Sequence, residues 1–440
     1  MNNILILSND GKTVEGVTRD DITTVTIPDG VTEIKRGAFE KCTSLQTVNI
    51  PDSVTSIGVD AFFFCESLQS VTIPNGVTII EQRAFYGCSS LQVVNFPASL
   101  TFIGRMAFDG CKSLVTVNIP DGVTHIDTLA FGECSSLKTV NIPDSVTLIG
   151  NMAFWGCSSL KTVNIPDNVK VIGEYAFANC SSLLSIDIPN GATEIYEGAF
   201  AYCRNLQSIN VNDNHPLYVS YNGVLYNIDM TAILQCPAGM KERVFSIPDS
   251  VETIEEATFA GCSSLQTINI PEGVKTIGDS AFKGCSSLQT INIPEGVKTI
   301  GYKALSNCTS LESVIIPDSV TKIDGYAFDF CKSLRTINIP CGLEEISKGY
   351  FNYCFSLQEI SIPDSVKKIG GQAFWFCPLR TIRMSSINPA EIEIDEEAFG
   401  SAYINEIFLI IPEGTEELYH SHPFFGQFKI FSNPKRQPST

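Results

Sequence analysis

Sixteen cysteines and four histidines are the side chains of this 440-residue sequence best suited to ligate a metal, form disulfides or attack a substrate. Fourteen cysteines recur at a step of 23 residues: Cys42, Cys65, Cys88, Cys111, Cys134, Cys157, Cys180 and Cys203, then Cys262, Cys285, Cys308, Cys331, Cys354 and Cys377. If the chain stacks on this period, column neighbours lie one strand spacing apart, about 4.8 Å. That distance is compatible with the roughly 4.4 to 6.8 Å of bridged Cα atoms, so spacing alone does not exclude disulfides. The surrounding residues do argue against them. Most of these cysteines close an Ala-Phe-x-x-Cys run, as in Ala61-Phe62-Phe63-Phe64-Cys65, and they read as small buried hydrophobes in a reduced ladder. Zinc ligation would need cysteine pairs two to four residues apart or a companion histidine set, and neither occurs.

The remaining candidates for chemistry are as isolated. His420 and His422 lack a neighbouring carboxylate at ligand spacing, and His125 and His215 stand alone. Cys341 follows Pro340 where the repeat usually carries an acid; it reads as an exposed thiol without a partnering histidine. No phosphate loop, nucleophile elbow or His-Glu-x-x-His pattern is present. Asp29, Asp52, Asp121, Asp144, Asp167, Asp249, Glu272, Glu295, Asp318 and Asp364 form a column at a turn edge. Each turn offers only one carboxylate, so the column reads as turn capping rather than cation ligation. The sequence therefore predicts no enzyme, no cofactor and no metal.

The elements that position these residues follow from the period. Proline recurs at 28, 51, 74, 97, 120, 143, 166 and 189, and again at 248, 271, 294, 317, 340 and 363. A fixed period of this size means that each unit buries its apolar face against its neighbours, giving a solenoid. Within one unit, Val48 and Ile50 alternate with Thr47 and Asn49, the period-2 pattern of a strand with one buried face. Pro51 ends that strand, because it has no N–H to donate. Ile57, Ala61 and Cys65 then stand at i, i+4 and i+8, which predicts a short helix on the opposite wall.

The composite run Leu-x-x-Val/Ile-x-Ile-Pro-x-x-Val-x-x-Ile-Gly-x-x-Ala-Phe-x-x-Cys-x-Ser-Leu resembles the BspA-type leucine-rich repeat over nearly the whole chain. Residues Cys262 to Gly278 and Cys285 to Gly301 are identical, a trace of tandem duplication. The expected fold class is an α/β repeat. It is a right-handed curved leucine-rich-repeat solenoid with a parallel concave sheet, short convex helices, capped ends and one inserted β-meander. Its expected divisions are an N-terminal cap at 1–26, repeat blocks at 27–212 and 247–392 around a meander at 213–246, a C-terminal cap at 393–431 and a disordered tail at 432–440, in one continuous domain. Ala402 takes the place of cysteine in the last cap, whose aromatics would plug the final turn. The resemblance implies a secreted or cell-surface protein of host-associated bacteria or parasitic protists, acting in adhesion and protein binding.

Two outward columns would carry such binding: Thr116, Thr139, Thr162, Thr267 and Thr290 beside Asn118, Asn141, Asn164, Asn269 and Asn292. They are also readable as ordinary strand-surface chemistry copied by duplication. Within 213–246, Tyr218, Tyr221 and Tyr226 flank Asn222-Gly223, as a structural joint or as a projecting binding element. A net charge of −19 and the lack of an extended basic run predict no nucleic-acid partner. No apolar run approaches the roughly 20 residues of a membrane span, and the start Met-Asn-Asn-Ile-Leu-Ile-Leu-Ser does not read as a signal peptide. That start predicts a cytoplasmic protein if the chain is complete. The expected function is non-enzymatic binding of a protein or glycan by a monomer. The alternative is a structural spacer of roughly 80 Å with no dedicated ligand.

Overall fold

The computed structural model describes residues 4–400 and 404–432. The expectations for Ala402 and for 433–440 lie outside the described residues. Two compact units are formed, one from residues 1–225 with 237–239 and the other from 226–236 with 240–440.

In both units the repeat builds two parallel ladders. The three-residue strand Thr47–Asn49 buries Val48 and exposes Thr47 and Asn49, as the alternation requires. It pairs in parallel with Thr24–Thr26, Thr24 facing Thr47 and Thr26 facing Asn49. In the second unit Val244–Ser246, Thr267–Asn269, Thr290–Asn292, Ser313–Ile315 and Thr336–Ile337 form one such sheet. The other ladder is unexpected: Ile57 belongs to the strand Ser56–Ile57, which pairs with Glu33–Ile34. Its equivalents from Ile79–Ile80 to Glu194–Ile195 form a six-stranded sheet in the first unit.

The short convex helices are absent among the described residues, and backbone conformation gives the reason. Asp60 (φ 59°) and Phe64 (φ 54°) are left-handed, as are Met106 and Gly110 and then Met152 and Gly156 in later repeats. A left-handed residue terminates an α-helix, and one every fourth residue leaves room only for successive tight turns. The amide hydrogen bonds alternate accordingly. Ala61, Phe63 and Cys65 donate three residues back, to Gly58, Asp60 and Phe62, at 3.0 to 3.2 Å. Asp60, Phe62 and Phe64 instead donate forward to Gln82, Ala84 and Tyr86 of the next repeat at 2.7 to 3.1 Å. The turn wall is thus itself a ladder, with half of its donors committed between repeats. The α-helix among the described residues is Glu416–Ser421. No helix there is long and apolar enough to cross a membrane.

The core is a set of columns. Val54, Ile57, Ala61, Phe62, Cys65 and Leu68 are each at most 1% exposed. In the first unit Phe39, Phe62, Phe85, Phe108, Phe131, Phe154, Phe177 and Phe200 stack with ring centroids 5.0 to 5.9 Å apart and planes within 12°. The cysteine column does more than fill space. Cys65 Sγ donates to the carbonyl of Phe39 at 3.1 Å, Cys88 to Phe62 at 3.2 Å and Cys111 to Phe85 at 3.3 Å, each across one repeat boundary. A thiol is small and apolar enough for the core and still offers a weak donor to a buried carbonyl. All sixteen cysteines are free, and only Cys341 is exposed.

At the N-terminal end Leu5–Leu7 runs antiparallel to Thr13–Val17, which pairs in parallel with Glu33–Ile34. At the other end Tyr419, Phe425 and Phe428 are buried, and Tyr419 Oη donates to Ser386 O at 2.8 Å.

Candidate ligand-binding face

The Thr/Asn columns occupy the exposed positions of the three-residue strands, held in register by the buried residue between them. Thr116 faces Thr139 and Asn118 faces Asn141 in the first unit. Thr267 faces Thr290 and Asn269 faces Asn292 in the second. All are exposed except Thr267, which is half-buried. Thr162 and Asn164 are also exposed, although the chain around them leaves the sheet. The structure thus gathers the predicted residues into two patches, one per unit.

Part of this polar capacity is spent within the ladder. Asn49 Nδ2 donates to Thr26 Oγ1 at 3.2 Å, Asn95 to Thr72 at 3.1 Å and Asn269 to Ser246 Oγ at 2.9 Å, all one repeat back. Thr139 Oγ1 donates to Thr116 Oγ1 at 3.3 Å. The side chains of Asn118, Asn141 and Asn292 have no such partner among the described residues, so their amides stand in solvent with donors and acceptors open.

The other predicted candidates resolve into fold roles. Tyr226 is 1% exposed and is withdrawn from any surface contact, because its strand Val224–Asn227 is covered on both faces from Val224 to Tyr226. Tyr218 accepts from Ile195 N at 3.1 Å and donates to Thr193 O at 3.2 Å, which commits its hydroxyl to the neighbouring repeat. Tyr221 alone of the three is open, at 51% exposure. Two acids of the turn column cap the turn of the next repeat: Asp167 Oδ1 accepts from Asn190 N and Asp318 Oδ1 from Cys341 N, both at 2.9 Å. His215 and His422 serve alike. Each Nδ1 accepts from the amides two and three residues on at 3.2 Å, an arrangement set by the His-Pro dipeptide at both places. Among the described residues no group of three His, Cys, Asp or Glu could hold a metal ion.

Asp109 escaped the sequence reading. It is 9% exposed, and burial, with the Glu133 carboxylate adding to it, pushes its pKa up to about 6. A carboxyl raised above its ordinary 3.8 binds its proton more tightly folded than unfolded, so it favours folding progressively as pH falls from about 6 to about 4. At pH 7 the charged form is a liability. Asp109→Asn is expected to stabilise the protein by about 1 kcal/mol at pH 7, a figure discounted for partial solvent access, and to gain nothing at pH 4. Urea unfolding at the two pH values measures this, and an equal effect at both would refute it.

Parallel strands repeating every 23 residues over a turn wall define a leucine-rich-repeat solenoid. The family model for the BspA type leucine rich repeat region matches residues 18–138, 104–221, 227–357 and 326–425, and the chain belongs to that family. It is similar to the crystal structure of a leucine rich cell surface protein from Faecalibacterium prausnitzii A2-165, with 30% identity and a TM-score of 0.63, over 88% of this chain and 94% of that one. A leucine-rich repeat protein from Eubacterium ventriosum ATCC 27560 is 26% identical with a TM-score of 0.54, covering 83% of this chain and 92% of its own. The pneumococcal vaccine antigen PcpA shares the fold at 19% identity and a TM-score of 0.58, covering 99% of this chain and 98% of its own. No curated protein matches the chain.

Proposed function

We propose that this protein is a non-enzymatic interaction protein that binds a protein or glycan through its repeated Thr/Asn strand faces, acting at a cell surface or after secretion. The observation that carries the reading is the set of outward amides at Asn118, Asn141 and Asn292, held in register and left without intramolecular partners among the described residues. The similarity to a bacterial cell surface protein supports the location. Solenoids offer long surfaces on which many weak contacts add. In this reading the segment 213–246 is a structural insert, since Tyr218 and Tyr226 are committed to the fold.

The test is to probe immobilised glycans and host matrix proteins with the purified chain, then to repeat it with variants. Asn141→Ala is expected to weaken binding by a few tenths to about 1 kcal/mol, the scale of one net hydrogen bond. Deleting residues 262–307, two repeats, is expected to weaken it far more. Abolition of binding by the single change would contradict a distributed surface. Absence of any ligand on the arrays would favour the spacer role.

A further inference from the structure

We infer that the second unit carries a separate site for a saccharide bearing a carboxylate, in the cleft between the segments around Thr336 and Glu359. This does not rest on the Thr/Asn reading, because none of those residues contributes. The regular columns change character here. The five-stranded sheet ends at Thr336–Ile337, and a four-stranded sheet begins at Glu359–Ile362. Where earlier repeats place Asn, the register now places Ser361 opposite Arg383, and Arg383 opposite Ile410. A cleft of about 520 Å³ opens at this seam, within the roughly 300–1,000 Å³ of small-ligand sites. Its lining includes Arg335, Phe355, Gln358, Glu359, Ser361 and Arg383.

Three features point to the ligand. The first is charge. In a chain of net charge −19, the cleft presents two guanidiniums against one carboxylate, and neither Arg335 nor Arg383 makes an ion pair among the described residues. Either exposed guanidinium suits a carboxylate, which it can grip with two parallel N–H donors. The second is an aromatic wall. Phe355 is 49% exposed, and its ring is backed edge-on by Tyr353 at 5.8 Å. Tyr353 in turn is stacked on Phe330 at 4.3 Å and on Phe376 at 4.8 Å, so the wall is held rigid before any ligand arrives. A fixed exposed ring can lie against the C–H face of a pyranose and lose little side-chain entropy in doing so. The third is the polar lining of Gln358 and Ser361, exposed donors and acceptors matched to sugar hydroxyls. An acidic peptide would share the charge requirement. It would also seek pockets for anchoring side chains, and Ile337 and Ile360 on the cleft floor are already packed into the core.

Calorimetric titration of the full chain with 3′-sialyllactose and with a glucuronate-terminated disaccharide tests the inference, with lactose and a Glu-rich peptide as comparators. Millimolar or tighter binding of at least one acidic saccharide is expected, weakening as salt is raised, with lactose much weaker. Arg383→Gln and Arg335→Gln should each lower the affinity about tenfold or more, the scale of a lost charged hydrogen bond. Phe355→Ala should lower it as well, while Lys112→Gln, which removes an exposed charge in the other unit, should not. Arg383→Lys keeps the charge and loses the fork, so it should fall between wild type and the Gln variant, and it serves if a Gln variant fails to fold. Failure of both acidic saccharides to bind, equal binding of lactose, binding of the peptide alone, or insensitivity to the arginine variants would each overturn the inference.

Discussion

Phe131→Ala is expected to cost the first unit about 3–5 kcal/mol, the range for removing a fully buried aromatic side chain. The ring is wholly buried between Phe108 at 5.4 Å and Phe154 at 5.5 Å, both nearly coplanar with it. Its loss removes apolar contact on two faces and breaks two stacked pairs, each worth about 0.5–1.5 kcal/mol beyond burial. The surroundings cannot close the gap easily. Phe131 N donates to Ala153 O and Ala130 O accepts from Phe108 N, both at 2.8 Å, so the backbone is pinned from both neighbouring repeats. In a repeat array stability is shared between units and their interfaces, so the damage should appear as decoupling. Urea unfolding should shift to a lower midpoint and broaden, and hydrogen exchange should accelerate first around residues 108–154. Asn118→Ala, on the exposed face of the same array, should stay within about 1 kcal/mol. A Phe131→Ala loss no larger than that would contradict the columnar core.

The second large effect is on thiol reactivity. A thiol reagent should modify about one cysteine per native chain, Cys341, and all sixteen once the protein is denatured in guanidinium. Fifteen thiols are buried. Burial pushes the titration up to about 12 for Cys88 and Cys308 and to about 11 for Cys42. The thiolate is the nucleophile, so a group titrating near 12 is only about one part in 10⁴ reactive at pH 8 even before access is considered. Cys341 should itself react slowly, because the charge of Asp318 raises its pKa and disfavours its thiolate. Asp318→Asn should speed its modification, a direction that exposure alone does not predict. Several fast thiols in native protein would mean that the column opens. A denatured count short of sixteen by pairs would mean disulfides.

Much of this architecture is legible in the residues. The 23-residue step, the alternation around Val48 and the burial of the Phe and Cys columns all follow from apolar side chains repeating at positions that only neighbouring copies can cover. Three things were not legible. The Ile57, Ala61, Cys65 spacing fits a helix and equally fits consecutive tight turns, since both return the chain to one face every fourth residue. Nothing in the identities of Phe64 or Met106 announces a positive φ, which these residue types rarely adopt. The hydrogen bonds that hold them there come from the repeat 23 residues on. Tyr218, Tyr221 and Tyr226 look alike in sequence, yet packing buries Tyr226, binds the hydroxyl of Tyr218 and leaves Tyr221 in solvent.

Sequence by itself therefore determined the period, the inward columns and the family, because burial of apolar side chains is a local requirement that every repeat states again. Tertiary structure alone decided the second ladder, the turn wall, the elevated carboxyl of Asp109 and the cleft that brings Arg335, Phe355 and Arg383 together. These depend on which groups meet across a repeat boundary. A backbone donor, a buried charge or a guanidinium acquires its partner only when the next turn of chain is laid against it.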